Sequence, residues 1–319
     1  MLGNFFLPKI HSQYSSNIIS KINRPYLIAE IGLNHNNDMN LATKMIQVAA
    51  QCGANAVKLQ SYTTDIFINK QIPGVEGLYS IFKKYELTYS EHGILQDEAR
   101  KAGVDFISTP LTEDWVDHLT QLKVPFIKIA SGDINNYLLL KEVAKKKVPV
   151  IISTGNSNII EIEKAAAFFK IYGKKDVIFL HCISQYPASS HILNLSTISY
   201  LSERLNALTG FSDHSEGSDA AFASVILGAV VVEKHFTLDK TLPGPDHIIS
   251  AVPEELKEIR EKMDLAHLMR GEPREDAYSE EKGGDVLGKR SIYTINGQKI
   301  AMRPRKQGLP KDSDFFDLI

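Results

Sequence analysis

Short apolar runs alternate along the chain with longer stretches in which apolar residues recur every three or four positions. Eight of the short runs are rich in β-branched and aromatic residues and are apolar on both faces, as expected of strands buried within a parallel sheet. They span Tyr26–Ile31, Ala56–Gln60, Asp105–Ser108, Phe126–Ile129, Pro149–Ser153, Val177–Cys182, Ala207–Phe211 and Val230–His235. We therefore predict eight buried strands.

The stretches between these strands have the spacing of amphipathic helices. In Leu41–Cys52 the apolar side chains fall on one face, Asp38 is placed to cap the first turn, and Gly53 is placed to end the helix. The same spacing predicts helices over Glu91–Ala102, Glu113–Leu122, Tyr137–Lys146, Ile160–Ile171, Ser218–Leu227 and Pro253–Met269, with a less regular pattern over Asn194–Leu205.

The regular alternation of strands and helices predicts an α/β fold. Eight strand–helix units within about 245 residues match the size of a TIM (β/α)8 barrel. A doubly wound sheet would carry a G-x-G-x-x-G phosphate loop after its first strand, whereas this chain has EIGLNHNND there. The barrel is therefore the favoured fold.

The pattern also divides the chain into segments. Residues 25–270 hold the predicted barrel, and residues 1–24 form an extension that could fold as a hairpin beneath it. Residues 271–283 are polar and are predicted to be a linker. Residues 284–319 are too few to build a hydrophobic core of their own and are predicted to be a short tail.

Composition and charge exclude several classes of protein. The 319 residues carry a net charge of −2, with 43% hydrophobic and 23% charged residues, so non-specific binding to nucleic acid or acidic membranes is not expected. The apolar stretch Ala220–Val232 is too short to span a bilayer, and Met1–Ser20 does not resemble a signal peptide. Cys52 and Cys182 are expected to be free, buried thiols of a cytoplasmic protein.

Polar residues follow the C-terminal end of every predicted strand. Barrel enzymes place their active sites at this end, so the repetition over eight strands predicts an active site there. The side chains concerned are Glu30, Asn34, His35, Lys58, Gln60, Ser108, Thr109, Lys128, Ser131, Asp133, Ser153, Thr154, His181, Ser184, Tyr186, Ser212, His214, Glu233 and His235.

Two of these residues, Lys58 and Lys128, are lysines within barrel strands. A lysine is costly to bury without a partner, so the pair indicates either a bound anion or a lowered pKa. Salt bridges to Glu30 or Glu233 are the alternative. Cations together with small donors make a phosphate or carboxylate site, and the hydroxyls that could converge beside the lysines belong to Thr109, Ser131, Ser153 and Ser212.

Two histidines, His214 and His235, end the adjacent strands seven and eight. Neighbouring strands lie about 4.8 Å apart, so both imidazoles could reach one ion. Nitrogen ligands together with oxygen donors suit a divalent first-row metal ion with open coordination positions. Five histidines on the extension, the helices or other loops are expected to be ordinary surface residues, namely His11, His92, His118, His191 and His267.

Two loops near the same end of the barrel are expected to contact a substrate. TLPGPDHIIS is shaped by its prolines and glycine and carries Asp246, which can bind hydroxyl groups. Asp65–Tyr89 is expected to be a variable loop that helps to select the substrate.

A series of motifs, in this order along residues 26–250, resembles the sialic acid synthase family, which includes N-acetylneuraminate, legionaminate and pseudaminate synthases. The matching strings are IAEIGLNHNND, AVKLQ, STP, IKIASGD, ISTG, LHCISQYP, GFSDHS, EKHFTLD and GPDH. The resemblance implies a TIM barrel that condenses phosphoenolpyruvate with an open-chain N-acyl hexosamine such as N-acetylmannosamine. The implied products are a nine-carbon α-keto acid and phosphate.

The resemblance also implies roles for individual residues. His214 and His235 would hold Mn2+, or another divalent ion such as Mg2+ or Co2+, which polarises the sugar aldehyde. The implied phosphoenolpyruvate site consists of Lys58, Thr109, Lys128, Ser131, Ser153, Ser184 and Ser212. The implied sugar contacts are Glu30, Gln60, Tyr186, Asp246 and Arg303. The implied catalytic residues are Glu30, Lys58, Lys128, Asp133 and His235.

Two of the implied catalytic roles concern protons and water. Glu30 would transfer a proton near the aldehyde. Asp133 stands where the family commonly has Glu and would help to position the water.

The chain departs from the family pattern in three places. Asn37 replaces the usual glycine of the first motif, and Ser184 stands where some members have Asn. The family carries a C-terminal antifreeze-like domain that caps the partner's site in a homodimer, and here the tail resembles a truncated form of it. Arg303 matches the arginine that reaches the partner's N-acyl sugar, although an ordinary surface arginine is the alternative.

Two other functions are compatible with these residues. A Schiff-base aldolase would use Lys58 or Lys128 as a covalent amine and would need no metal. A non-catalytic relative would bind a sugar without releasing phosphate. A related class of enzymes makes eight-carbon or seven-carbon keto acids from phosphorylated sugars and would want further basic residues for the second phosphate, but the strand ends show no arginine cluster.

Overall fold

The computed structural model describes residues 24–274, 281 and 288–305. Eight parallel strands form a closed barrel in chain order, and the last strand pairs with the first. Helices lie between successive strands. The predicted TIM barrel is therefore confirmed.

All eight predicted strands are present, with ends that shift by up to two residues. They are β1 (Tyr26–Gly32), β2 (Ala56–Ser61), β3 (Asp105–Pro110), β4 (Ile127–Ile129), β5 (Val150–Ser153), β6 (Val177–Cys182), β7 (Leu208–Asp213) and β8 (Val231–His235). Both β3 and β7 extend two residues past their predicted ends, in β7 because Ser212 and Asp213 still pair with β8. Several polar strand ends thus belong to the sheet itself.

Ten α-helices accompany the strands in the described part of the chain. They are α1 (Met39–Gln51), α2 (Thr64–Phe67), α3 (Glu76–Tyr85), α4 (Tyr89–Ala102), α5 (Asp114–Gln121), α6 (Tyr137–Lys145), α7 (Ile159–Ile171), α8 (Thr197–Leu205), α9 (Asp219–Ile226) and α10 (Pro253–Arg270). The predicted cap of α1 is confirmed, because the Asp38 side chain accepts hydrogen bonds from the backbone amides of Asn40 and Leu41.

The segment expected to be a variable loop, Asp65–Tyr89, is not irregular throughout. It contains α3, whose Tyr85 packs with Tyr62 and Leu33 in a small apolar cluster. The prediction of a plain loop is wrong because aromatic residues in this segment anchor it to the barrel.

Two apolar layers determine where the polar residues can lie. One layer fills the barrel interior, and the other packs the outer faces of the strands against the helices. The interior layer includes Ile28, Ala56, Ile107, Phe126, Ile151, Leu180 and Val231. Because strand side chains alternate with a period of two, the next inward-facing residues are Glu30, Lys58, Thr109, Lys128, Ser153, Cys182 and Glu233. The apolar interior layer therefore ends where the inward-facing polar and ionisable residues begin.

The chain divides into two compact units between Arg270 and Gly271. The described part of the second unit contains an antiparallel hairpin of β9 (Ser291–Ile295) and β10 (Gln298–Met302). Asn296 and Gly297 form its turn with positive φ values, as tight hairpin turns require. The predicted N-terminal hairpin, most of the predicted linker and the last part of the tail lie outside the described residues. Of the helices that are described, none has the length and hydrophobicity to span a bilayer.

Candidate active site

A cavity of about 250 Å³ opens at the C-terminal ends of the barrel strands. Most of the residues predicted to form the site line it. The lining consists of Glu30, Lys58, Gln60, Thr109, Leu111, Lys128, Ala130, Ser131, Gly132, Ser153, Cys182, Ser184, Tyr186, Ser212, His214, Glu233 and His235.

A larger, open depression of about 510 Å³ lies at the other end of β3. The charged residues that line it, Asp97, Arg100, Asp105 and Lys123, are all exposed. The buried ionisable groups instead gather in the smaller cavity, which we take as the candidate active site.

Lys58 is held by an acid and a hydroxyl within the cavity. Its Nζ lies 2.7 Å from Glu30 Oε2 and 3.0 Å from Thr109 Oγ1. Glu233 Oε1 lies 3.8 Å from the same nitrogen. The salt bridges considered as the alternative to an anion site are therefore present.

Lys128 occupies the opposite side of Glu233. Its Nζ donates to Ser153 Oγ at 2.6 Å and lies 3.6 Å from Glu233 Oε1. Ser212 Oγ donates to the same carboxylate oxygen at 3.3 Å. Glu233 thus joins the two lysines, while its other oxygen is buried without a hydrogen-bond partner among the described residues.

Burial and mutual charge set the ionisation of this cluster. Burial raises the pKa of Glu30 to about 6, although Lys58 opposes the shift. Burial lowers the pKa of Lys128, and Glu233 only partly offsets it. For Glu233, burial acts to raise the pKa, but the charges of Lys128 and Lys58 outweigh it and hold the pKa below its usual value. The two lysines and two glutamates nearly cancel in charge when all four are ionised.

The two strand-end histidines meet at the rim of this cluster. The rings of His214 and His235 have centroids 5.6 Å apart, and the Tyr186 ring lies against the His214 ring at 4.0 Å. His214 Nδ1 lies 2.7 Å from the carbonyl oxygen of Ile183. Because a carbonyl oxygen only accepts hydrogen bonds, Nδ1 must carry the proton of the neutral ring. The free lone pair is then on Nε2.

The histidine pair fits a divalent metal ion. His235 Nδ1 is buried and has no hydrogen-bond partner among the described residues, and the Ile183 carbonyl orients His214 as outer partners commonly orient metal ligands. Burial lowers the pKa of both imidazoles, that of His235 to about 3, so both are in the neutral form that binds metals. Within the described ranges no group of three or more His, Cys, Asp or Glu completes a site. Substrate or water would have to supply the other ligands.

Three polar atoms converge on the backbone of Gly155. Ser131 Oγ accepts a hydrogen bond from Gly155 N at 2.9 Å. A Cβ at Gly155 would overlap Ser184 Oγ and would lie 2.9 Å from both Cys182 Sγ and Ser131 Oγ. Only a residue without a side chain therefore fits at position 155.

The predicted burial of both free cysteines is confirmed, and Cys182 also lines the cavity.

The substitution Gly155→Ala is expected to destabilise the protein by about 1–3 kcal/mol, because overpacking forces neighbouring side chains to move. The displaced serines would also narrow the cavity. Urea unfolding midpoints measure the effect on stability. Gly132→Ala is the matched control, since a Cβ there meets no atom within 4 Å. Equal midpoints for the two variants would contradict the prediction.

The predicted sugar contacts of the barrel unit lie together. Gln60 Nε2 lies 3.5 Å from Glu30 Oε1. A Cβ placed on Gly32, which has a φ of +53°, would lie 3.1 Å from Glu30 Oε1 and 3.6 Å from Asp246 Oδ2. Tyr186 is half exposed beside the histidines. The remaining predicted contact, Arg303, belongs to the second unit, where it is exposed and directly follows β10.

Asp133 is the predicted catalytic residue that the structure does not bring into the cavity lining. The chain turns after β4 into a 3-10 turn over Ser131–Asp133, and the Asp133 carboxylate accepts a hydrogen bond from Asn136 Nδ2 at 3.1 Å. Its predicted role in positioning water remains a prediction.

The prediction that His92 is a surface residue is wrong. His92 is fully buried on α4, and its Nδ1 lies 3.1 Å from the carbonyl oxygen of Thr88. Its Nε2 lies 2.8 Å from Ser61 Oγ, which lies 2.5 Å from Ser108 Oγ. The helical spacing indicates this burial, because Leu95 and Ala99, three and seven residues after His92, form the buried face of α4.

Comparison with known proteins places these features in a family. Residues 45–275 match the NeuB family. An uncharacterized protein from Methanocaldococcus jannaschii is 44% identical over 283 residues, which cover 89% of this chain and 81% of that protein. The N,N'-diacetyllegionaminic acid synthase of Legionella pneumophila is 36% identical over 281 residues, which cover 84% and 79% of the two chains.

A solved structure agrees with the sequence matches. The crystal structure of the N-acetylneuraminic acid (sialic acid) synthetase from Leptospira borgpetersenii, in complex with citrate, superposes with a TM-score of 0.77 at 34% identity. The superposition covers 82% of this chain and 90% of that one. The chain therefore belongs to the NeuB family of sialic acid synthase-like enzymes.

Proposed function

We propose that the protein is a transferase that condenses phosphoenolpyruvate with an open-chain N-acyl hexosamine, such as N-acetylmannosamine, to give a nine-carbon α-keto acid and phosphate. The observation that carries the proposal is the cavity itself. It joins two buried lysines, a ring of hydroxyls and two neutral imidazoles in a space of about 250 Å³. The family membership supports the same reaction.

The lysine end of the cavity is suited to the phosphate and carboxylate of phosphoenolpyruvate. Lys58 and Lys128 supply the positive charge, and Glu233 between them keeps both ammonium groups oriented. Charge-assisted hydrogen bonds to such groups are the strong ones. The hydroxyls that would complete the anion site are those of Thr109, Ser131, Ser153, Ser184 and Ser212.

The near-cancellation of charge in this cluster bears on the metal ion. Glu30 and Glu233 already offset the two lysines, so an added multivalent anion would carry uncompensated negative charge into a buried site. A divalent ion such as Mn2+, Mg2+ or Co2+ held by His214 and His235 would supply positive charge and polarise the sugar aldehyde. The anion and the cation should therefore bind more tightly together than alone.

The bond changes follow from the substrates. C3 of phosphoenolpyruvate attacks C1 of the open-chain sugar and forms the new C–C bond. Water adds at C2, and phosphate then leaves with the bridging oxygen, so that the keto oxygen comes from water. Glu30 lies between Lys58 and Gln60, where it could deliver a proton to the aldehyde oxygen. The unpartnered Oε2 of Glu233 could orient the water.

The sugar end of the cavity is formed by Glu30, Gln60, Tyr186 and Asp246. We propose further that the protein is a cytoplasmic homodimer in which Arg303 binds the N-acyl sugar of the partner. The support is the resemblance of the tail to the family's capping domain and the exposure of this side chain. Arg303→Ala should then raise KM for the sugar and leave KM for phosphoenolpyruvate unchanged.

The test is phosphate release by purified protein given phosphoenolpyruvate, Mn2+ and a panel of N-acyl hexosamines, with and without a chelator. Sugar-dependent release that the chelator abolishes is the expected result and names the substrate. Phosphoenolpyruvate binding without release for any sugar would favour a non-catalytic relative. Phosphate release that persists in the presence of the chelator would contradict the proposed dependence on a metal ion.

A Schiff-base aldolase is the second candidate, because burial lowers the pKa of Lys128 and so favours its nucleophilic amine form. Borohydride treatment in the presence of pyruvate or of the nine-carbon α-keto acid distinguishes the two, because a lysine amine of an aldolase forms its imine with that keto group. A covalent adduct on Lys128 would support the aldolase. Mass spectrometry that finds unmodified protein would support the metal-dependent synthase.

Glu30 predicts a pH dependence of the reaction. A proton donor must be protonated, so its pKa near 6 means that Glu30 loses the proton it delivers as the pH rises through 6. We expect kcat/KM to fall on the alkaline side with an apparent pKa near 6, since this ratio reports the free enzyme. Glu30→Gln cannot act as an acid, so it should be less active and should lack this alkaline limb. An unchanged alkaline limb in the variant would contradict the assignment.

A further inference from the structure

A buried ion pair lies directly behind the histidine pair. Asp213 ends β7 and Lys234 lies near the end of β8, and the two are direct partners in the strand register. Each immediately precedes one of the imidazoles, His214 and His235. Lys234 Nζ lies 2.9 Å from Asp213 Oδ2.

The Asp213 carboxylate also folds the chain around His214. Its Oδ1 accepts hydrogen bonds from Ser215 N at 2.8 Å and from Ser215 Oγ at 2.6 Å. Lys234 Nζ donates in addition to the carbonyl oxygen of Ser215. His214 is therefore the apex of a turn that is closed on one side by Asp213 and on the other by Lys234.

The pair is shielded from solvent and lies outside the cavity. The Asp213 side chain has no exposed surface, and that of Lys234 is 4% exposed. Glu233 and His235 face into the barrel, so the period of two turns Lys234 outward. Neither Asp213 nor Lys234 lines the cavity, and neither is placed to touch a substrate.

A contribution to the stability of the fold does not by itself explain a buried ion pair at this position. The cost of removing two charges from water often equals or exceeds their attraction, and apolar residues of similar volume can replace a buried pair without loss. What apolar residues could not reproduce is the set of directional bonds that joins the two strand ends and the Ser215 turn.

We propose that Asp213 and Lys234 are positioning residues that set the separation and orientation of the His214 and His235 imidazoles. The consequence for the metal rests on the proposed function: a pair of nitrogens held at a fixed distance binds a divalent ion more tightly than two independent side chains. Loss of outer partners of metal ligands typically lowers metal affinity by about 10–100-fold.

The test compares Asp213→Asn, Lys234→Met and Ser215→Ala with Lys234→Arg, which keeps the charge. The first measurement uses metal-free protein with 15N-labelled histidine and records the imidazole resonances of His214 and His235. The second titrates Mn2+ by electron paramagnetic resonance. Lys101→Met is the control, since it removes an ion pair between the exposed Lys101 and Glu98 within α4, a helix that precedes β7 and β8 by several elements.

We expect Asp213→Asn and Lys234→Met to shift or broaden both sets of imidazole resonances and to weaken Mn2+ binding by about 10–100-fold. Ser215→Ala should have a smaller effect of the same kind, and Lys234→Arg should remain close to the wild type. Folded variants with unchanged resonances would overturn the proposal. If the wild type binds no Mn2+, the metal part of the proposed function fails, whereas the resonances of the metal-free protein still decide the positioning role.

Discussion

Lys58→Met is expected to lower kcat/KM for phosphoenolpyruvate by about 10²–10³-fold, the usual cost of removing a preorganised donor to a developing or bound anion. The substitution removes the charge nearest to Thr109 and Glu30. It also leaves Glu30 buried without its closest cation, so the carboxyl should become protonated. Steady-state phosphate release at several phosphoenolpyruvate concentrations separates the effects on kcat and KM.

Two controls make this result specific. Lys262→Met removes a partly exposed lysine of α10, which pairs with Asp219 of α9 and Glu258 of α10, and should keep full activity. Circular dichroism and the thermal midpoint show whether Lys58→Met still folds. A folded Lys58→Met variant with wild-type kcat/KM would mean that the anion does not bind at the lysine end of the cavity.

The second large effect is expected for His235→Ala. Loss of one of two nitrogen ligands should remove most of the bound divalent ion, whose contribution of several kcal/mol corresponds to roughly 10³-fold in rate. The structural reason is that His235 lies beside His214 and has a buried nitrogen, Nδ1, without a hydrogen-bond partner in the described part of the chain. Activity should fall to the level of chelator-treated wild type.

The control variant is His191→Ala, which changes an exposed histidine and should leave the activity unchanged. Addition of the chelator to His235→Ala should cause no further loss, because both treatments remove the same ion. A further large loss on chelation would show that the metal is held elsewhere, and full activity in the variant would show that His235 is not a ligand.

The barrel and the positions of its inward-facing residues could be predicted because the strands obey a simple alternation. Ala56, Lys58 and Gln60 follow one another at intervals of two, so the burial of the first predicts the direction of the others. The same rule places Val231 below Glu233 and His235. Local periodicity was sufficient wherever the strand continued without a turn.

Three features could not be predicted because the periodicity of strands and helices does not reveal them. The side chain of Asp133 leaves the strand direction when the chain enters a 3-10 turn. The pairing of Asp213 with Lys234 depends on the register between β7 and β8. The segment from Asp65 to Tyr89 is held by aromatic contacts such as that of Phe67 with Phe82, which no regular spacing reveals.

The sequence alone does not show the central position of Glu233. It predicts only that Glu233, like Glu30, could form a salt bridge with one of the lysines. In the barrel it stands between Lys58 and Lys128, within 3.8 and 3.6 Å of their nitrogens. Its importance follows from three strands meeting at one point, and a single strand does not show this.

In the proposed reaction, phosphate leaves by C–O cleavage after phosphoenolpyruvate joins the sugar. Phosphoenolpyruvate labelled with 18O in the bridging position distinguishes this cleavage from P–O cleavage when mass spectrometry follows both products. The label should appear in inorganic phosphate, only when an N-acyl hexosamine is present, together with an unlabelled nine-carbon keto acid. Label retained in pyruvate or in the keto acid would indicate P–O cleavage and would rule out the proposed reaction.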